Sequence, residues 1–158
     1  MNVPVVQTAH SPDHWLAVRE LFLEYARSLD FSLCFQGFDE ELATLPGAYA
    51  PPRGGLWLAE AHGRPAGCVA LRPLDLPGTA EVKRLYVRPS ARGCGLGRTL
   101  AETAILAART TRHARLVLDT VPAMAAAIAL YRSLGFTPVP PYTAQPPCGA
   151  LAFELWLS

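Results

Sequence analysis

Residues 81–109 read EVKRLYVRPSARGCGLGRTLAETAILAAR, with Gly93, Gly95 and Gly97 alternating just where helical periodicity begins. The N–H groups of a helix's first turn have no partner inside the helix, and with the macrodipole they form a site for anions. Glycines at that point let a phosphate approach those donors without meeting a Cβ. Arg92 and Arg98 flank the loop and add charge in a forked geometry suited to phosphate. The chemistry indicated is the grip of a phosphate-bearing ligand. The alternative is an ordinary tight loop with a packed helix start.

Such a site needs a strand before the loop and a helix after it, and the pattern predicts both. Residues 81–87 read as a strand, and the helix runs from Gly95 to about Thr111 with Leu100, Ala104 and Ala107 on one face. Upstream, residues 3–7 form a short apolar strand. Ser11 as cap and Pro12 at the first position open a helix to about Arg27. Trp15, Val18, Leu21, Phe22 and Tyr25 fall on it at helical spacing. Residues 30–37 read as an apolar loop, and Asp39, Glu40 and Glu41 suit the front of a second short helix ending near Leu45. The Pro- and Gly-rich residues 46–55 read as loop. Strands at 56–61 and 65–71 flank a hairpin turn at His62-Gly63-Arg64, and residues 74–79 make another turn.

Downstream, residues 115–119 form a short buried strand. A last helix spans 123–134 and is stopped by Gly135. Terminal strands at 136–139 and 150–157 are separated by a Pro-rich loop containing Tyr142. No internal repeat or dividing linker is present, so one α/β domain over residues 1–158 is expected, a mixed sheet with helices on both faces.

The glycine spacing discriminates among phosphate loops. GxxxxGK[ST] is not met, because Gly97 is followed by Arg98-Thr99 and Arg92 stands five positions before it. GxGxxG fails as well, since counting from Gly93 the last glycine falls at Arg98. R-x-x-G-x-G is met by Arg92, Gly95 and Gly97. With the preceding strand EVKRLYV and the later ALYRSLGF (residues 129–136), the chain resembles the GNAT superfamily of acyl-CoA-dependent N-acyltransferases. The match is loose over residues 1–55.

That resemblance implies a single domain with a central mixed, mostly antiparallel sheet of about seven strands, splayed between strands 4 and 5. It implies acetyl-CoA as acyl donor, its pyrophosphate held by the main chain of Arg92, Gly93, Cys94, Gly95, Leu96, Gly97 and Arg98. Its pantetheine arm would pair with the backbone of Leu85, Tyr86 and Val87. Glu81 matches the general base of some members; the bland reading is a strand-end surface carboxylate paired with an arginine. Tyr131 matches the family's general acid, against the reading of a half-buried packing residue. The family's cofactor-contacting Asn is replaced here by Met124, so its contact must be absent or supplied by backbone near residues 121–123. Asp119 and Thr120 could face the substrate, but they read more readily as caps of the last helix.

The acceptor site of such enzymes is walled by the first two helices and the last hairpin. The aromatics Phe31, Phe35, Phe38, Tyr49 and Tyr142 could line a pocket for an amine with an apolar body, although each alone reads as core. A small-molecule amine or amino acid is the preferred acceptor. A protein N-terminus or lysine is second, and a catalytically silent acyl-CoA-binding domain is the reading from another class.

Composition bounds the rest. Net charge is +1, which argues against a nucleic-acid footprint or a polybasic membrane anchor. At 51% hydrophobic and 17% charged the chain reads as an ordered globule. Lys83 is the only lysine; every other basic side chain except the histidines is Arg. Cys34, Cys68, Cys94 and Cys148 show no CxxC pairing, and His10, His14, His62 and His113 show no ligand spacing, so no metal is expected. No membrane span and no signal-peptide pattern is evident, so a cytoplasmic protein is expected, homodimeric if it follows a common habit of the family.

Overall fold

Ser11 and Pro12 open the first helix as their types predict: the Ser11 side chain accepts from the His14 N–H at 3.3 Å, and the proline sits in the first turn. The computed structural model describes residues 4–29, 37–143, 146 and 149–157. In chain order the elements are β1 Val5–Thr8, α1 Pro12–Arg27, α2 Phe38–Ala43, β2 Gly55–Ala61, β3 Arg64–Pro73 and β4 Thr79–Val87. Then come α3 Leu96–Thr110, β5 Arg115–Thr120, α4 Ala125–Ser133, β6 Thr137–Val139 and β7 Leu151–Trp156. The expected loop at 46–55 contains one short 3-10 turn, Gly47–Tyr49.

The strands form one sheet in the order β1-β2-β3-β4-β5-β7-β6. All neighbours are antiparallel except β4 and β5. Both His62 and Gly63 take positive φ, 54° and 73°, which lets a two-residue turn join β2 to β3 with the twist the strands require.

Each face of the sheet carries its own core. On one face α3 lays down Leu96, Leu100, Ala104 and Ala108, and α4 adds Tyr131, against Val69, Leu71, Val82 and Leu116. The small alanines of that stripe let the helix approach the strands closely. On the other face Val18, Leu21 and Phe22 of α1 and Phe38 and Leu42 of α2 pack on Leu56, Leu58, Cys68 and Ala70. Burying large side chains such as Phe22 contributes on the order of 2 kcal/mol each.

The last helix begins two residues later than expected. Thr120 remains in β5, and Met124 is the residue before the first helical turn, with no side-chain cap. Asp119 and Thr120 therefore do not cap α4. They pair with Ala152 and Leu151 across the sheet.

Candidate active site

β4 and β5 pair at Thr79–Arg115, Ala80–Leu116 and Glu81–Val117 and no further. Past that point β4 stays with β3, placing Tyr86 opposite Cys68 and Val87 opposite Gly67. β5 instead follows β7, placing Asp119 opposite Ala152. The strands diverge, and among the described residues the backbone of residues 82–87 has no strand partner on the β5 side. A cleft of about 880 Å³ opens there. Leu85, Tyr86 and Val87 form one wall, residues 121–127 the other, and Arg92, Gly93, Gly95, Leu96, Gly97 and Arg98 the end.

Backbone geometry explains the glycines. Gly93 and Gly95 take φ of +88° and +82°, a region that side chains with a Cβ rarely enter, and nothing lies within 4 Å of where a Cβ would stand. Gly97 is helical, and a Cβ there would make only ordinary contacts, 3.7 Å to Leu130 and 3.9 Å to Val87. Packing therefore does not require Gly97, and its absent side chain keeps the first-turn N–H groups bare. The Arg98 guanidinium donates to Ser133 Oγ at 2.6 Å, tying the start of α3 to the end of α4 across the cleft. Arg92 donates to the Val87 carbonyl at 2.8 Å and lies over the Tyr86 ring. An unpaired strand edge running into bare helical donors fits an extended ligand with a phosphate end. Cys94 points elsewhere: its thiol reaches the Ala91 carbonyl, and it lines a separate concavity with His62 and Arg64.

Side chains build the other end. Ala70 pairs with Lys83 but Cys68 with Tyr86, so Val69 faces two residues, Arg84 and Leu85. This bulge sets Arg84 at φ 59° and breaks the alternation of the strand. Lys83 and Arg84 consequently reach the same small space between β4 and β5, about 30 Å³, with Tyr25, Asp119, Thr120, Met124 and Tyr131. Leu85 and Met124 also line the large cleft, so the small space continues its inner end. Arg84 is held by Glu41 through two bonds of 3.0 Å and lies over the Phe38 ring.

Glu81 is wholly buried, not a surface carboxylate. One oxygen accepts from Arg72 Nε at 2.7 Å, and the other accepts from the Tyr142 hydroxyl. Asp119 and Lys83 make no side-chain hydrogen bond or ion pair with another residue's side chain among the described residues. Burial raises the Asp119 carboxyl above the ordinary aspartate range, Glu81 adding to this and Lys83 opposing it. Burial likewise lowers the Lys83 ammonium, against Glu81. The Tyr131 hydroxyl, also without a hydrogen bond among the described residues, is pushed up by burial and stays protonated.

Of the aromatics expected around an acceptor, Tyr142 lies beside Asp119 at the hairpin. Tyr49 is 3% exposed and packs edge-on against Phe22, and Phe38 is core beneath Arg84. Phe31 and Phe35 lie outside the described residues. Lys83 was not singled out from the sequence as a site residue, and Asp119 was weighed as substrate-facing but read as a helix cap. A charged pair on neighbouring strands at a divergence leaves no local motif; the one available signal was a sole lysine among arginines.

The sequence model of the Acetyltransferase (GNAT) family matches residues 15–136. An uncharacterized N-acetyltransferase of Schizosaccharomyces pombe is 40% identical over 127 residues, covering 80% of this chain and 78% of that protein. Among solved structures, an acetyltransferase from Streptococcus agalactiae superposes with a TM-score of 0.80 at 23% identity, over 98% of each chain. One from Salmonella typhimurium, solved with its cofactor acetyl-CoA, gives 0.72 at 22% identity over 99% of this chain and 95% of its own.

Proposed function

Because this chain belongs to the GNAT family of acetyl-CoA-dependent acetyltransferases, we propose that it acetylates the primary amine of a small molecule or amino acid by direct attack in a ternary complex. The observation that carries this reading is the end of β4–β5 pairing at Glu81–Val117, which leaves an open strand edge leading from a charged pocket to the glycine loop. The edge binds and orients the donor by main-chain hydrogen bonds, and the bare first turn of α3 holds its pyrophosphate.

An amine arrives protonated and must lose a proton before attack. Asp119 takes it. What supports Asp119 over Glu81 is access: Asp119 faces the space at the inner end of the cleft, whereas both Glu81 oxygens are engaged by Arg72 and Tyr142. Glu81 is then a positioning residue that fixes Tyr142 at the acceptor wall. Tyr131 donates to the departing thiolate, supported by its protonated hydroxyl in the same space, which has no hydrogen bond among the described residues. Thiol release from acetyl-CoA against a panel of amines and amino acids tests the reading. Turnover with at least one small amine is expected. Clear acetyl-CoA binding with no turnover on any of them would replace it with a silent binding domain.

A further inference from the structure

Lys83 is an amine placed where this enzyme handles amines. It is 8% exposed, stands on the stretch of β4 that pairs with β3 but not with β5, and lines the space that continues the donor cleft past Leu85 and Met124. The bulge at Arg84 turns it toward that space. Its ammonium has no hydrogen bond or ion pair among the described residues, while the neighbouring cations do: Arg72 is held by Glu81, and Arg84 by Glu41. Lysine, unlike arginine, gives up its proton readily when buried, and a desolvated lysine is an activated nucleophile. Across the space stand the proposed base, Asp119, and the proposed acid, Tyr131.

We infer that Lys83 is an internal acetyl acceptor, so that the enzyme acetylates itself at this one lysine when no external amine occupies the site. The inference rests on the proposed reading that the donor's acyl end lies at the inner end of the cleft. Asp119 takes a proton from the Lys83 ammonium, and the neutral Nζ attacks the thioester carbonyl. The new N–C bond forms, and the C–S bond breaks. Tyr131 gives its proton to the leaving thiolate and recovers one from the acylated nitrogen, leaving an amide, free CoA and a proton on Asp119 that passes to solvent. No further reactant is needed. The amide is stable, so this is not a step of the catalytic cycle. It removes a charge and adds bulk opposite Asp119, where the external amine must stand. The modification therefore shuts down its own active site.

The chain's single lysine makes the readout unambiguous. Intact-mass analysis and peptide mapping follow the whole protein incubated with acetyl-CoA alone, with acceptor turnover of the same samples measured in parallel. Expected are one acetyl group on Lys83, a matching fractional loss of turnover, protection by a turned-over amine and marked slowing in Tyr131→Phe. Turnover with Lys83 left unmodified would overturn the inference and leave the proposed function standing. Absence of both would overturn the two together. Acetylation at an equal rate in Tyr131→Phe, or in heat-unfolded protein, would make it ordinary solution chemistry and also overturn it. Lys83→Arg should show no lysine acetylation and no acetyl-CoA-dependent loss of activity. Persistence of that loss in this variant would locate the cause elsewhere.

Discussion

The two ends of the cleft are made of different material. At the proposed donor end the contacts offered are main-chain groups: the open edge of β4 and the first turn of α3, with glycine at three positions so that nothing intrudes. At the proposed acceptor end they are side chains, Glu81, Lys83, Asp119, Tyr131 and Tyr142, drawn from three strand or helix elements and a loop. A main-chain site is set by local backbone conformation and tolerates changes in the residues around it. A buried polar site depends on every partner being present, because an uncompensated charge away from water is costly. Donor binding should thus be the robust property of this enzyme, and acceptor chemistry the fragile one.

Removing the partner of a buried charge gives the largest expected effect. Glu41→Ala strips Arg84 of two bonds near the acceptor end and should lower unfolding free energy by about 3 kcal/mol in urea denaturation. A change close to zero would dissolve the contrast between the two ends. Next come Tyr131→Phe and Asp119→Asn, each expected to lower kcat about 100-fold while leaving acetyl-CoA affinity intact. As the proposed base, Asp119 would act only when ionised, and burial raises its pKa. The acid limb of the kcat/KM profile should therefore lie above the ordinary aspartate range, activity falling as pH drops through it. Asp119→Asn should abolish that limb; a limb that survives unchanged would return the role of base to another group.

At the donor end, Gly97→Val should weaken acetyl-CoA binding about tenfold, about 1.4 kcal/mol by calorimetry. Its melting temperature should shift little, because the Cβ would make only ordinary van der Waals contacts with Leu130 and Val87. Loss of stability without loss of affinity would mean that Gly97 serves packing after all. The smallest effect is expected for Glu81→Gln, which retains groups able to meet Arg72 and Tyr142: kcat should fall by less than about tenfold, with the acid limb in place. Disappearance of that limb would make Glu81 the base.

This contrast also explains what could be read from the sequence. The donor end lies within one continuous stretch, and its requirements are conformational, so Gly93, Gly95 and Arg92 spell it out in order. The order of elements along the chain and the helix faces were legible for the same reason, since the α3 stripe and the Ser11-Pro12 cap are local. The acceptor end joins residues brought together only by the sheet. Glu81 read as either a base or a surface carboxylate, but its burial and its bonds to Arg72 and Tyr142 depend on pairing across β3 and on a distant hairpin. Asp119 read as a helix cap because Pro122 looked like a helix start; the chain stays extended through Thr120. The Arg84 bulge, which aims Lys83, leaves no pattern that alternation could reveal.

Between β4 and β5 the sheet is stitched by three residue pairs, where β5 and β7 share six. Mechanically the protein is two half-sheets meeting at a short seam, with helices bridging it. On the proposed reading, a donor lying along β4 would supply the missing rungs of that seam. Acetyl-CoA would then be a removable strand as well as a reactant, and its binding should stabilise the two halves together.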